Sequence, residues 1–194
     1  FFRPNFFVNT PDILPFHLQS GESWMFKSRL ALAATLSSNY GIYSGFELLE
    51  HMPVPGREEY LNSEKYEIRV RDWDEGGNIK PYVAALNRIR RGNPALQQFA
   101  DLRFINVDDG GVIGFVKEAT DQSNVIAAAI ALSGELREVW LPLGDVMVGR
   151  GDARRPVTAV EDLITGERHA LEWGGIRLRL NPARDPALLL RCVA

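Results

Sequence analysis

Apolar positions along the chain follow two periods, and the change falls at Arg90-Arg91-Gly92-Asn93-Pro94. Upstream the spacing is helical, with short apolar runs between helices. Asn5 to Val8 predicts a strand, followed by the breaker-rich Asn9-Thr10-Pro11-Asp12 and a helix from about Met25 to Leu36. In that helix Leu30, Ala33 and Ala34, with Met25 and Phe26 one turn away, form one apolar stripe, and Lys27 and Arg29 lie at its margin. Tyr40 to Tyr43 predicts a second strand. A long loop with Pro53, Pro55 and Gly56 and the polar run Glu58 to Tyr66 then leads to a helix over about Pro81 to Arg91. Pro81 is tolerated in the first turn, and Gly92 with Pro94 ends the pattern.

Two strands each followed by a helix form a β-α-β-α slice of a parallel sheet. Such a slice leaves raw edges, and further β-α units in a barrel would complete it. The chain starts Phe1-Phe2-Arg3-Pro4 without an initiator methionine, so the expectation is that it begins inside a longer protein. Downstream the period is two. Runs at Leu102 to Val107, Val112 to Lys117, Val125 to Ala131, Arg137 to Leu141, Val157 to Asp162 and Ile176 to Leu180 are separated by turn residues. These predict an antiparallel meander or Greek-key β-sandwich. Ile176-Arg177-Leu178-Arg179-Leu180 alternates most cleanly, arginines on one face, and Ala187 to Val193 reads as a closing strand buried on both faces.

Composition narrows the function classes. The 194 residues are 45% hydrophobic and 24% charged, which is globular and not disordered. A net charge of -3 gives no electrostatic reason to expect nucleic acid or an anionic membrane as partner. The single cysteine, Cys192, excludes an internal disulfide framework and cysteine-cluster metal sites, which fits the cytoplasm best, and it reads as a small core residue. No apolar run approaches the ~18 residues of a membrane span.

Few residues stand out chemically. Asp12 lies just past the end of a predicted parallel strand, the edge where barrel enzymes gather catalytic side chains; Pro11-Asp12 is equally ordinary turn chemistry. His17, His51 and His169 are too dispersed for a metal site, and Gly110-Gly111 and Gly174-Gly175 read as hairpin turns. Lys65 and Tyr66 follow a polar loop overhanging the same edge. A lysine with three donors and a tyrosine ring suit a polyhydroxyl ligand, although the loop also reads as a solvated charged segment. Trp140 and Trp173 are the sandwich's candidate stacking platforms, with core packing the expected fate of both.

Phe6-Phe7-Val8-Asn9-Thr10-Pro11-Asp12-Ile13-Leu14 resembles the segment after the seventh barrel strand in the α-amylase family of glycoside hydrolases and transferases, where an asparagine precedes the third catalytic aspartate. The Thr-Pro variant resembles the branch of that family that uses α-maltose 1-phosphate to extend α-1,4-glucans. Tyr40-Gly41-Ile42-Tyr43-Ser44-Gly45-Phe46-Glu47-Leu48, Glu58 to Tyr66, Arg71-Asp72-Trp73 and Asn93-Pro94-Ala95-Leu96 continue the likeness. It is strong to about Leu96 and looser through the sandwich.

The resemblance implies residues 1–96 as the last two β-α units of a catalytic (β/α)8 barrel and residues 97–194 as a C-terminal β-sandwich domain. It implies a retaining double displacement with Asp12 as transition-state stabiliser, Lys65 and Tyr66 gripping the donor maltosyl unit, and Asn9 lining the same pocket. Partners would be maltose 1-phosphate and an α-1,4-glucan acceptor, with no metal cofactor; members of the family often form dimers. Nucleophile and general acid belong to earlier strands of such barrels, so the chain alone is expected to be inactive. The alternatives are an α-amylase-type hydrolase and a glucan-binding or interaction module in which the sandwich is the functional part.

Overall fold

A computed structural model describes residues 3–63, 68–99 and 101–194. The first elements are strand β1 (Phe6–Phe7), helix α1 (Ser23–Leu36), strand β2 (Tyr40–Gly41) and helix α2 (Lys80–Gly92). β1 and β2 pair in parallel, Phe6 opposite Tyr40 and Phe7 opposite Gly41. The expected strands were twice as long. Each is shorter because each has one neighbour here, although Phe6 N–H to Asn39 O and Val8 N–H to Gly41 O carry the pairing one step further at both ends. Gly41 matters to this pair. The Phe7 ring lies across it, and a Cβ there would stand 2.3 Å from the ring.

α1 is buried more widely than one stripe. Phe26, Leu30 and Ala33 are buried on it together with Ala31, Ala34 and Thr35, because the helix is sandwiched between α2, β1 and the sheet described below. Lys27 and Arg29 sit at its margin as expected. Lys27 donates to Arg184 O at 2.7 Å and Arg29 reaches Val8 O. α2 buries Tyr82, Leu86 and Ile89, the i, i+4, i+7 row of an amphipathic helix. Its terminator is not Gly92, which stays helical. Asn93 stops it, turning its amide back onto Ile89 O at 2.8 Å, and Pro94 opens a 3-10 turn over Pro94–Gln97.

The second half begins with β3 (Leu102–Ile105), β4 (Val112–Glu118), β5 (Val125–Ala131) and β6 (Arg137–Pro142). It continues through β7 (Met147–Val148), β8 (Arg155–Pro156), β9 (Ala159–Asp162), β10 (Arg168–Ala170), β11 (Gly175–Leu180) and β12 (Ala187–Val193). A six-stranded antiparallel sheet runs β10-β9-β12-β5-β4-β3. The insertion of β12 between β5 and β9 makes it a Greek-key path and not a meander. β6 and β11 form a separate antiparallel ribbon, and β7 with β8 a short hairpin that the sequence pattern did not announce.

Strand parity explains how the layers stack. β5 is buried along its full length: Ile126, Ala128 and Ile130 face α1, while Val125, Ala127, Ala129 and Ala131 face the ribbon. On the ribbon Val139, Leu141, Ile176 and Leu180 point inward, leaving Arg177 and Arg179 outside as the alternation predicts. The large sheet is thus covered on one face by helices and on the other by the β6–β11 ribbon.

One charge crosses the junction. Lys117 of β4 is fully buried and donates to Thr35 O at 3.0 Å and Gln98 O at 2.8 Å. Burial, with the nearby Arg90 charge adding to it, pushes its ammonium down from 10.5 to about 8. Below pH 8 both folded and unfolded chains hold this proton and the full desolvation penalty stands. Between pH 8 and 10.5 only the unfolded chain holds it, so the penalty is lifted as pH rises, by about 3 kcal/mol in all. Cys192, held up at about 12 by burial, acts oppositely above pH 9. In a Cys192→Ala background, the stability of the Lys117 protein relative to Lys117→Met, read by urea unfolding, is therefore expected to climb from pH 8 to 10.5. A flat difference would contradict a lysine with a depressed pKa.

Candidate functional site

The segment between β1 and α1 makes a tight turn. Thr10 and Ile13 exchange backbone hydrogen bonds, each 3.2 Å, and Thr10 Oγ1 also accepts from Ile13 N at 3.0 Å. Pro11 and Asp12 form its tip, so Asp12 is held exposed just beyond the C-terminal end of the parallel pair. The chain after it is pinned to the 53–60 hairpin: Leu14 N–H donates to Glu58 O at 3.0 Å, Phe16 N–H to the Glu58 carboxylate at 2.8 Å, and Gln19 bridges Leu14 O and Arg57 O. These bonds fix where the Asp12 turn stands relative to the loop opposite.

Asn9 is the buried latch of the site. Its Oδ1 accepts Tyr43 N–H at 2.8 Å, and its Nδ2 donates to Tyr43 O at 3.3 Å and to the Tyr60 hydroxyl at 2.7 Å. One amide therefore ties the end of β1 to the end of β2 and to the following loop. Burial lifts the Tyr60 hydroxyl to about 12 against the opposing pull of the Asn9 bond, so it stays protonated and neutral in this wall. Tyr43 packs edge-on to Tyr60 with ring centroids 6.0 Å apart, and the Arg71 guanidinium lies 5.6 Å from the Tyr43 ring while Glu50 accepts its Nε at 2.8 Å. Arg29 beside His17 and the burial of His17 hold that imidazole below its ordinary pKa, burial being the larger cause.

Of the residues singled out from the sequence, the structure brings the Asn9 and Asp12 turn to the same strand edge as Tyr43 and Tyr60. Lys65 and Tyr66 lie outside the described residues. Tyr43, Tyr60 and Glu58 were not marked by local pattern; Tyr60, an aromatic inside a charged run, was the available signal. Among the described residues no group of three or more His, Cys, Asp or Glu side chains is placed to hold a metal ion, and no helix is long and apolar enough to cross a membrane.

No protein-family model matches the chain. Curated relatives do. The chain is 46% identical over 98% of its length to an α-1,4-glucan:maltose-1-phosphate maltosyltransferase of Rhodospirillum rubrum, and 44% identical over 98% to one of Chlorobaculum tepidum. This chain is thus similar, over nearly its whole length, to one segment of these maltosyltransferases. It spans about 28% of the length of the Rhodospirillum relative and about 29% of the Chlorobaculum one.

Solved structures carry the same fold at low identity. AmyP in its maltose complex superposes over 97% of this chain with a TM-score of 0.71 at 17% identity, covering 40% of that protein. An α-amylase of Anoxybacillus covers 96% at 0.71 and 16% identity, over 37% of its own length. This chain thus shares its fold with segments of these solved structures.

Proposed function

We propose that the chain is the C-terminal part of an enzyme that transfers maltosyl units from α-maltose 1-phosphate to the non-reducing ends of α-1,4-glucans, its first 96 residues closing a catalytic (β/α)8 barrel and residues 97–194 forming a β-sandwich domain. The observation that carries this reading is the 46% identity to a maltosyltransferase running across 98% of the chain. The position of Asp12 supports it: an exposed carboxylate beyond the C-terminal end of a parallel strand pair stands at the edge where barrel enzymes do their chemistry. The exposure of Phe6 and Phe7, 37% and 47%, fits a strand pair whose other neighbours lie elsewhere in the protein.

On this reading an aspartate supplied by an earlier barrel strand attacks the anomeric carbon as the bond to phosphate breaks, and a glutamic acid hands its proton to the departing phosphate. The glucan 4-hydroxyl, deprotonated by that same glutamate, then takes the maltosyl group and frees the aspartate. Asp12 binds sugar hydroxyls beside the reacting carbon, a contact that strengthens as positive charge grows on the ring. Asn9 holds the Tyr43–Tyr60 wall of the pocket, and Lys65 and Tyr66 grip the donor. Maltose 1-phosphate and glucan are the partners, and a cytoplasmic setting fits both the substrates and the lone cysteine.

The test is phosphate release from α-maltose 1-phosphate by the full-length protein, with glucan length followed in parallel. Release coupled to elongation by two glucose units per phosphate is expected. Release with maltose as the product and no elongation would replace the transferase by an amylase-type hydrolase, and no release at all would overturn the reading.

A further inference from the structure

A largely buried ion pair stands behind the Tyr43–Tyr60 wall, and the chain accepts backbone strain to build it. The 3-10 turn over Phe46–Leu48 closes with two nested hydrogen bonds, Glu50 N–H to Gly45 O and Leu49 N–H to Phe46 O, each 3.0 Å. This is the Schellman closure, in which the residue before the last needs a positive φ and is usually glycine. Leucine occupies it here, at φ 59°. A side chain in the left-handed region is disfavoured, so the turn is held by what it delivers. It delivers a carboxylate. Glu50 folds back over the start of the turn, where Gly45, at φ 98°, leaves it space: a Cβ at position 45 would overlap the Glu50 carboxylate.

That carboxylate meets two arginines. Oε1 accepts Arg71 Nε at 2.8 Å and Oε2 accepts Arg71 Nη2 at 3.4 Å, a two-point pairing. Arg69 Nη2 lies 3.5 Å from the same Oε1, while Arg69 Nη1 donates to Leu61 O at 3.4 Å, so one carboxylate joins the 68–71 segment to the chain after Tyr60. The Arg71 and Glu50 side chains are 6% and 16% exposed, which sets this pair apart from the solvated bridges that contribute little. Its placement is specific. The Arg71 guanidinium lies 5.6 Å from the centre of the Tyr43 ring, and that ring packs edge-on to Tyr60. The charges of Glu50 and Arg71 also both reach the Tyr60 hydroxyl, with opposite effects on its proton. Asn9 holds the backbone of Tyr43 and the hydroxyl of Tyr60, and Arg71 packs on the Tyr43 ring itself.

We propose that Glu50 is a positioning residue for donor binding: through Arg71 it orients the Tyr43 ring, and with it the Tyr43–Tyr60 wall of the sugar pocket, without touching substrate. That this wall faces the donor rests on the maltosyltransferase reading. A wall set in place this way contacts the sugar before the reaction as well as during it. Its loss therefore weakens ground state and transition state alike, which raises KM and leaves kcat nearly unchanged, the reverse of what a group acting only on the transition state does.

Steady-state phosphate release by the full-length protein, with thermal midpoints of the same preparations, reads this split. Glu50→Gln keeps the volume and removes the charge; KM for α-maltose 1-phosphate is expected to rise about tenfold, with kcat within about threefold of the parent. Arg71→Met is expected to act alike. The double variant should raise KM no further than the larger of the two single changes, because both act through one pair. Arg71→Lys keeps the charge, and with it the fold should Glu50→Gln not hold together, yet loses the two-point pairing and the flat contact with the ring; its KM should rise at least about threefold. Asp145→Asn, which breaks the exposed Arg103–Asp145 pair of the sandwich, serves as control and should leave KM unchanged. A KM within about twofold of the parent in Glu50→Gln or Arg71→Lys, effects that multiply in the double variant, or an equal rise in Asp145→Asn would each overturn the role. A lowered midpoint with KM unmoved would reduce the pair to a structural brace. Release by the parent with unmoved KM in the variants removes the role of Glu50 and leaves the transferase, whereas no release by the parent removes both.

Discussion

Replacing Asp12 by asparagine in the full-length protein is expected to lower kcat for maltosyl transfer by about 10³ or more, with a far smaller change in KM. An amide of the same shape still bonds sugar hydroxyls, so much of the ground-state binding survives. What disappears is the negative charge whose attraction grows as the ring flattens towards the oxocarbenium-like transition state, and losses of this kind cost about 3–4 kcal/mol of barrier. The fold is expected to stay intact. Asp12 stands exposed at the tip of a turn held by Thr10 and Ile13, and exposed substitutions of this sort shift stability by about 0.5 kcal/mol or less. Steady-state kinetics and thermal unfolding of the same preparations check both halves. A variant within tenfold of wild-type kcat, or a raised KM with kcat unchanged, would make Asp12 a turn residue and not a stabiliser of the transition state.

Of the two readings of Asp12 available from the sequence, the structure shows the turn and places it beyond the C-terminal end of the parallel pair; its catalytic role is the proposal that the kinetics test. Local pattern was sufficient wherever structure is local. Leu86 and Ile89 mark the buried row of α2, which Tyr82 completes in place of the expected Val83, the alternating arginines mark the outer face of β11, and Ala187–Val193 forms the last strand. Trp140 was expected in the core from its size, but Val139 and Leu141 claim the inner face of β6 and strand parity puts the indole outside. Trp173, expected there too, stands exposed in the turn before β11. Asn9 shows the other limit. Its three hydrogen bonds reach Tyr43 and Tyr60, 34 and 51 positions away, so no window around it predicts a buried latch. The short β7–β8 hairpin was missed because two-residue strands carry no period to read.

The end of α1 is where long-range chemistry does most for stability, and Arg90→Met is expected to be among the costliest single changes in the chain. α1 has no basic residue in its last turn, and its final carbonyls have no helical partner. Arg90, on α2, takes over part of that end: its guanidinium donates to Ala34 O at 2.6 Å and to Ser37 O of the C-cap at 2.8 Å, and also reaches Ser38 O in the following turn and Leu96 O at 2.7 Å in the turn after α2, while lying 5.4 Å from the Tyr40 ring. Lys117 takes Thr35 O from the opposite side, so two cations from different elements cap one helix end. Methionine would fill the space of the stem and leave four carbonyls to partial hydration. With ~1–3 kcal/mol for each acceptor left unsatisfied in a buried setting, discounted because the site is only half-buried, the expected loss is about 2–4 kcal/mol. That corresponds to a fall of roughly 5–15 °C in the thermal midpoint for a chain of this size. Arg90→Lys should recover only part, because a single ammonium cannot span the fork of acceptors. Urea unfolding of the two variants beside the parent decides it: a loss under about 0.5 kcal/mol for Arg90→Met, or full recovery by lysine, would mean that water caps α1 as well as the guanidinium does.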